Sequence, residues 1–194
     1  MFIDVVSEDA ATGALADYYR QQRDAWGFLP NYAAAFAARP DVAHAWNVLN
    51  ATIRDGMDRR RFELATIAAA RALHSTYCTT AHSMVLRDVC QDDATVRLIA
   101  ADPSGQSLGP VDRAVFEFAT KVATDAASVE QADIDRMRAT GLSDADVADI
   151  AYAAAARSFF TRVLDALGAQ LDPQTAAAFV PELRESMIVG RPVG

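Results

Sequence analysis

ELATIAAARALHSTYCTTAH, running from Glu63 to His82, is the stretch whose reading decides the fold of this chain. From Glu63 through Ile67 and Ala70 to about Leu73 it is alanine-rich with apolar residues three and four apart, the pattern of a helix. His74, Ser75 and Thr76 interrupt it with cap-forming residues, and a fresh helix from about Thr76 to Val89 carries Cys78 and His82. Cys78 and His82 are four residues apart and therefore share one helical face.

That placement suits thiol chemistry. With Ser75 or Thr76 as the N-cap, Cys78 falls in the first helical turn, where free backbone N–H groups and the positive dipole end favour an anion. His82, one turn on, can hold or return the proton, so two pressures toward thiolate are expected. Glu63 lies fifteen residues before Cys78, roughly 22 Å along an unbroken helix. A fold-back at residues 74–76 leaves it offset from His82 by four residues, roughly 6 Å, so a relay Glu63, His82, Cys78 is geometrically sensible.

Outward from this stretch the helical period continues nearly everywhere, and no alternating β-branched run is bounded by turns, which predicts an all-α protein of about eight or nine helices. Toward the amino end, Ser7 reads as the cap of a helix reaching Trp26, with Gly27 and Pro30 as its stop. Asn31–Arg39 reads as a second helix closed by Pro40, and Asp41 opens a third that ends at Gly56. Asp58 caps the helix of Glu63. Toward the carboxyl end, Asp92 and Asp93 introduce a short helix, residues 102–105 form a loop, and Pro110 opens a helix to Ala126. Ser128 to Gln131 has capping-box spacing, and Ser143 to Asp146 repeats the signal before a long helix ending near Gly168. A last helix covers 173–180, and 181–194 reads as an irregular tail of a single domain, 1–194.

With 194 residues, 52% of them hydrophobic, the chain can bury one sizeable core. A net charge of −8 with scattered signs excludes a nucleic-acid partner, and no apolar run is long enough to predict a membrane span. Met1-Phe2-Ile3-Asp4 lacks a basic leader region, so the cytoplasm is the expected compartment. Cys78 and Cys90, roughly 18 Å apart if on one helix, cannot pair within it. Cys, His and Glu are also zinc ligands, but there is no clear fourth ligand and no CxxC pair; no metal or cofactor is expected. His44 reads as an ordinary helix histidine, Trp26, Trp46, Phe159 and Phe160 as packing residues in preference to the lining of an apolar substrate pocket, and Arg157 and Arg162, near Asp165, equally as surface or interface ion-pair formers and as substrate-binding residues.

The spacing of Glu63, Cys78 and His82, with Tyr77 before the cysteine and Ala81 before the histidine, resembles the alkylhydroperoxidase D-like branch of the carboxymuconolactone decarboxylase superfamily. Gly27-Phe28-Leu29-Pro30-Asn31 and Arg162-Val163-Leu164-Asp165-Ala166-Leu167-Gly168 resemble two further segments of its peroxidase-related members. The resemblance implies an all-helical homotrimer or homohexamer acting as a thiol peroxidase on a small-molecule substrate. It matches Cys78 to the attacking cysteine, Glu63 and His82 to the relay, and Ser75 to the resolving cysteine of a Cys-x-x-Cys pair. Serine cannot close that disulfide, so an external thiol reductant is implied. Tyr77 and His74 flank the motif as supporting residues. The decarboxylases of the superfamily imply an alternative, a non-redox lyase or isomerase acting on a carbonyl or lactone through His82 and Glu63.

Overall fold

The computed structural model describes residues 1–192. Its eleven α-helices are α1 (Gly13–Trp26), α2 (Asn31–Ala34), α3 (Pro40–Asp55), α4 (Arg59–Ala72), α5 (Thr76–Asp88), α6 (Asp93–Ala101), α7 (Pro110–Asp125), α8 (Gln131–Ala139), α9 (Asp144–Leu167), α10 (Pro173–Ala177) and α11 (Pro181–Ser186). Two short 3-10 turns, Glu8–Ala10 and Ala126–Ser128, complete the regular structure, and no strand occurs among the described residues. None of these helices is long and apolar enough to cross a membrane.

Helix α4 is the centre. Every residue from Phe62 to Ala70 is buried, so the helix has no solvent face over that stretch and must be enclosed. Ala65, Ala68 and Ala69 present almost no side chain there, which lets α5, α7 and α9 pack closely around it. Asp58 starts α4 by accepting the Arg61 N–H at 2.8 Å. One apolar cluster gathers Leu64, Ile67, Val115, Phe118 and Ile150 around α4, α7 and α9. A second, built on Tyr19, Phe36, Trp46, Phe160 and Leu164, joins α1, α2 and α3 to the later half of α9.

Several boundaries differ from those the sequence suggested. Ser7 leads only into the 3-10 turn, and α1 starts at Gly13, whose φ of +56° breaks the helical path before it. Pro40 does not close the second helix. That helix is a single turn, and Pro40 stands at the first position of α3, where its missing N–H has no partner to lose. The cap of α8 is Glu130 rather than Ser128, because Asp133 is buried where it accepts both the Glu130 N–H at 2.8 Å and the Lys121 ammonium at 2.7 Å. Residues 181–186 form α11 where irregular chain was expected, since Leu183 and Met187 are apolar enough to join the first cluster; residues 193–194 lie outside the described residues.

Candidate active site

The reversal between α4 and α5 is a Schellman motif. His74 adopts a left-handed conformation (φ 58°), the Ser75 N–H donates to Ala70 O at 2.9 Å and the His74 N–H to Arg71 O at 3.0 Å. The chain therefore turns back along α4, and residues nineteen apart meet: His82 Nδ1 lies 2.6 Å from Glu63 Oε2. His74 itself points away from this pair, its Nδ1 against Val189 O at 3.1 Å.

Glu63 is fully buried, with Arg59 Nε 2.8 Å from its second oxygen, an ion pair without hydrogen-bond alignment. Burial pushes the Glu63 carboxyl up, but His82, Arg59 and Arg157 together outweigh it and hold it below its ordinary value. His82 moves down: burial and the Arg157 guanidinium disfavour its charged form more than Glu63 supports it. The pair at neutral pH is therefore a carboxylate and a neutral imidazole. A carboxylate only accepts, so the imidazole proton sits on Nδ1, and Nε2 keeps the lone pair that can take a proton.

The surroundings of Cys78 depart from expectation. Its sulfur is 1% exposed, and the hydrogen-bond donor beside it is not His82 but the Arg157 guanidinium on α9, with Nη1 3.8 Å from Sγ. Burial raises the Cys78 thiol above its ordinary value, with Arg157 and then Ser75 pulling it back down and Asp165 adding slightly to the rise. Burial thus works against the depression expected from the helix start and His82. Ser75 stands at the N-cap position, yet its buried hydroxyl caps nothing.

A cavity of about 370 Å³ opens at the seam of the two apolar clusters and brings Glu63, Tyr77, Cys78 and His82 to one space. Trp26, Tyr32, Trp46, Phe62 and Phe160 wall it, with Trp46 and Phe160 stacked at 4.9 Å. So three of the four aromatics read as packing residues border the cavity, while Phe159 lies on the exposed side of α9. At one end Tyr77 donates its hydroxyl proton to Asp172 Oδ2, whose other oxygen accepts the Asn31 N–H at 2.6 Å; burial raises the Asp172 carboxyl. Ser75 and His74 do not line the cavity, and His44 is exposed. Among the described residues no three His, Cys, Asp or Glu side chains converge as a metal site.

Asn50 and Arg59 are among the cavity residues that carried no signal in the sequence, while Arg157 reads there as an ion-pair former or a substrate-binding residue. Arg157 is 3% exposed, not a surface ion-pair former, whereas Arg162 is exposed. One signal was available: Ile150, Ala153, Ala154, Arg157, Phe160 and Leu164 form the buried stripe of α9, and an arginine on an apolar stripe is seldom there for packing.

The structure is an all-helical fold of the alkylhydroperoxidase D-like kind, with one cysteine at an aromatic cavity. Residues 40–102, from α3 through α6 and including Glu63, Cys78 and His82, match the family model described as the carboxymuconolactone decarboxylase family. A peroxidase-related protein from Ralstonia eutropha JMP134, described as an alkylhydroperoxidase AhpD core, shares 24% identity over 90% of this chain and 93% of its own, with a TM-score of 0.80. A peroxidase-related protein from Silicibacter sp. TM1040 shares 20% over 90% and 93%, at 0.79. The debrominase Bmp8, solved as a variant with 2,3,4-tribromopyrrole, shares 20% over 92% and 95%, at 0.73. No curated protein matches the chain in sequence. The resemblance to the alkylhydroperoxidase D-like branch of the carboxymuconolactone decarboxylase superfamily thus holds in both the matched segment and the fold.

Proposed function

We propose that this protein is a thiol-dependent peroxidase-type oxidoreductase acting on a bulky organic hydroperoxide through Cys78. The observation that carries this reading is a single cysteine lining a cavity large enough for an organic molecule, together with a histidine whose tautomer a buried carboxylate fixes. In the proposed cycle His82 Nε2 takes the thiol proton, and the thiolate attacks the distal peroxide oxygen. The S–O bond forms, the O–O bond breaks, and the departing alkoxide collects the proton from His82, giving a sulfenic acid and an alcohol. An external thiol then condenses with the sulfenic acid, releasing water, and a second thiol frees Cys78 as a disulfide of the reductant leaves. Ser75 cannot supply the first of those thiols, and Cys90, half-buried at the far end of α5, lies outside the cavity. We further propose a homotrimer or homohexamer located in the cytoplasm. The exposed Val48, Leu49, Tyr152 and Phe159 of α3 and α9 offer apolar surface for the assembly to bury.

The test is turnover of cumene hydroperoxide with dithiothreitol, combined with trapping of Cys78 sulfenic acid and peptide mass spectrometry. Sulfenic acid at Cys78 and loss of turnover in Cys78→Ala are expected. An unmodified Cys78 at high peroxide overturns the reading. The debrominase neighbour makes halogenated aromatics the second class to offer in the same assay. Metabolite turnover that survives Cys78→Ala and is lost in His82→Ala would instead mark carbonyl acid–base chemistry.

A further inference from the structure

Arg157 is a buried cation in an unusual position. Arg59, Arg60 and Arg61 each face a carboxylate: Glu63, Asp92 with Asp112, and Asp146 respectively. Arg157 is more deeply buried than any of them, yet no carboxylate lies within ion-pair distance of it among the described residues. Its Nη2 donates to Asn50 Oδ1 at 3.3 Å, its Nη1 reaches Cys78 Sγ at 3.8 Å, and its Nε has no partner. Its carbon centre sits 5.6 Å from the Trp46 ring centroid and 5.3 Å from that of Phe160, contacts that hold a guanidinium without neutralising it. A buried cation without an anion is strongly disfavoured. The ionisable group in contact with it is the Cys78 thiol.

We propose that Arg157 is a catalytic residue, the counter-ion to the Cys78 thiolate that forms when His82 takes the thiol proton, aimed by Asn50. The charge in contact with the sulfur anion is then the guanidinium rather than the imidazolium. One fixed charge serves two groups, because the same guanidinium that favours the sulfur anion opposes protonation of His82 and keeps that imidazole able to accept a proton. The other groups around the sulfur do not replace it. Glu63 on α4 is engaged with Arg59 and His82, Tyr77 on α5 with Asp172, and Tyr32 on α2 with Gln22, while Asp165 on α9 works against the anion.

This assignment rests on Cys78 as the reacting group, and its test uses no peroxide. Alkylation of Cys78 by iodoacetamide, followed against pH and resolved from Cys90 by peptide mass spectrometry, reads the thiolate population directly. Arg157→Met is expected to raise the apparent pKa by one unit or more and slow alkylation at neutral pH about ten-fold, with the alkaline plateau retained. Arg157→Lys should recover part of the loss. Asn50→Asp leaves Arg157 in place but gives it a competing anion, and should also slow the reaction, whereas Asn50→Leu should slow it less. His82→Asn should shift the profile less than Arg157→Met does. These variants keep the question open to refutation if Arg157→Met fails to fold. Arg157→Lys and Asn50→Asp profiles that coincide with the wild type overturn the assignment. Hydroperoxide turnover without these shifts removes the counter-ion role and leaves the peroxidase reading. The shifts without turnover do the reverse.

Discussion

Glu63→Gln isolates the charge that orients His82. Glutamine keeps the size of the side chain and one hydrogen bond while removing an anion that is fully buried and contacts His82 at 2.6 Å and Arg59 at 2.8 Å. Losing a charge-assisted hydrogen bond costs about 1.5–3 kcal/mol. Arg59 is 41% exposed and can turn to water, so little is added for stranding it. For a chain of this length that corresponds to a fall in Tm of roughly 3–12 °C. The pH dependence has a definite sign. The Glu63 carboxyl is held below its ordinary value of 4.5, so its contribution is complete above 4.5 and is lost as pH falls through the folded value. The carboxylate's share of the gap between wild type and variant should therefore be full at neutral pH and shrink in acid. His82, held below 6.5, gives both proteins a separate loss of stability that begins as pH falls past 6.5, and the larger loss falls on the variant, which lacks the carboxylate that supports the imidazolium. Thermal melts of both proteins from neutral pH to the acid edge of the folding range measure this. Equal melting temperatures at neutral pH would refute the assignment of Glu63 as a buried carboxylate.

Two other perturbations report on neighbouring features. Ser75→Cys places a second thiol three residues before Cys78 at the start of α5, and peroxide treatment should then yield an intramolecular disulfide and faster turnover with dithiols; a persistent sulfenic acid under non-reducing mass spectrometry would count against the geometry. Gly190→Ala would drive a methyl group into His74 O, so residues 187–192 must lift from the α4–α5 reversal; a fall in Tm of about 2–8 °C is expected, from roughly 1–2 kcal/mol of lost contacts, and an unchanged melt would show that this segment contributes nothing.

The reading of residues 63–82 carried far because its signals are short in range. The stop at His74, the cap position at Ser75 and the four-residue step to His82 are local geometry, and together they bring residue 82 back to residue 63. Boundaries were misplaced where distant partners decided them, as at Asp133, whose ion pair with Lys121 moves the start of α8.

The sequence by itself determined that this is a helical protein, where its chain reverses, and that a carboxylate and an imidazole meet across that reversal. Only the tertiary structure decided what surrounds the sulfur. Arg157 comes from seventy-nine residues away, and its approach depends on how α9 packs against α3 and α5. Helical periodicity states which side of a helix turns inward, but the balance between desolvation and a neighbouring charge is set by which side chains meet there.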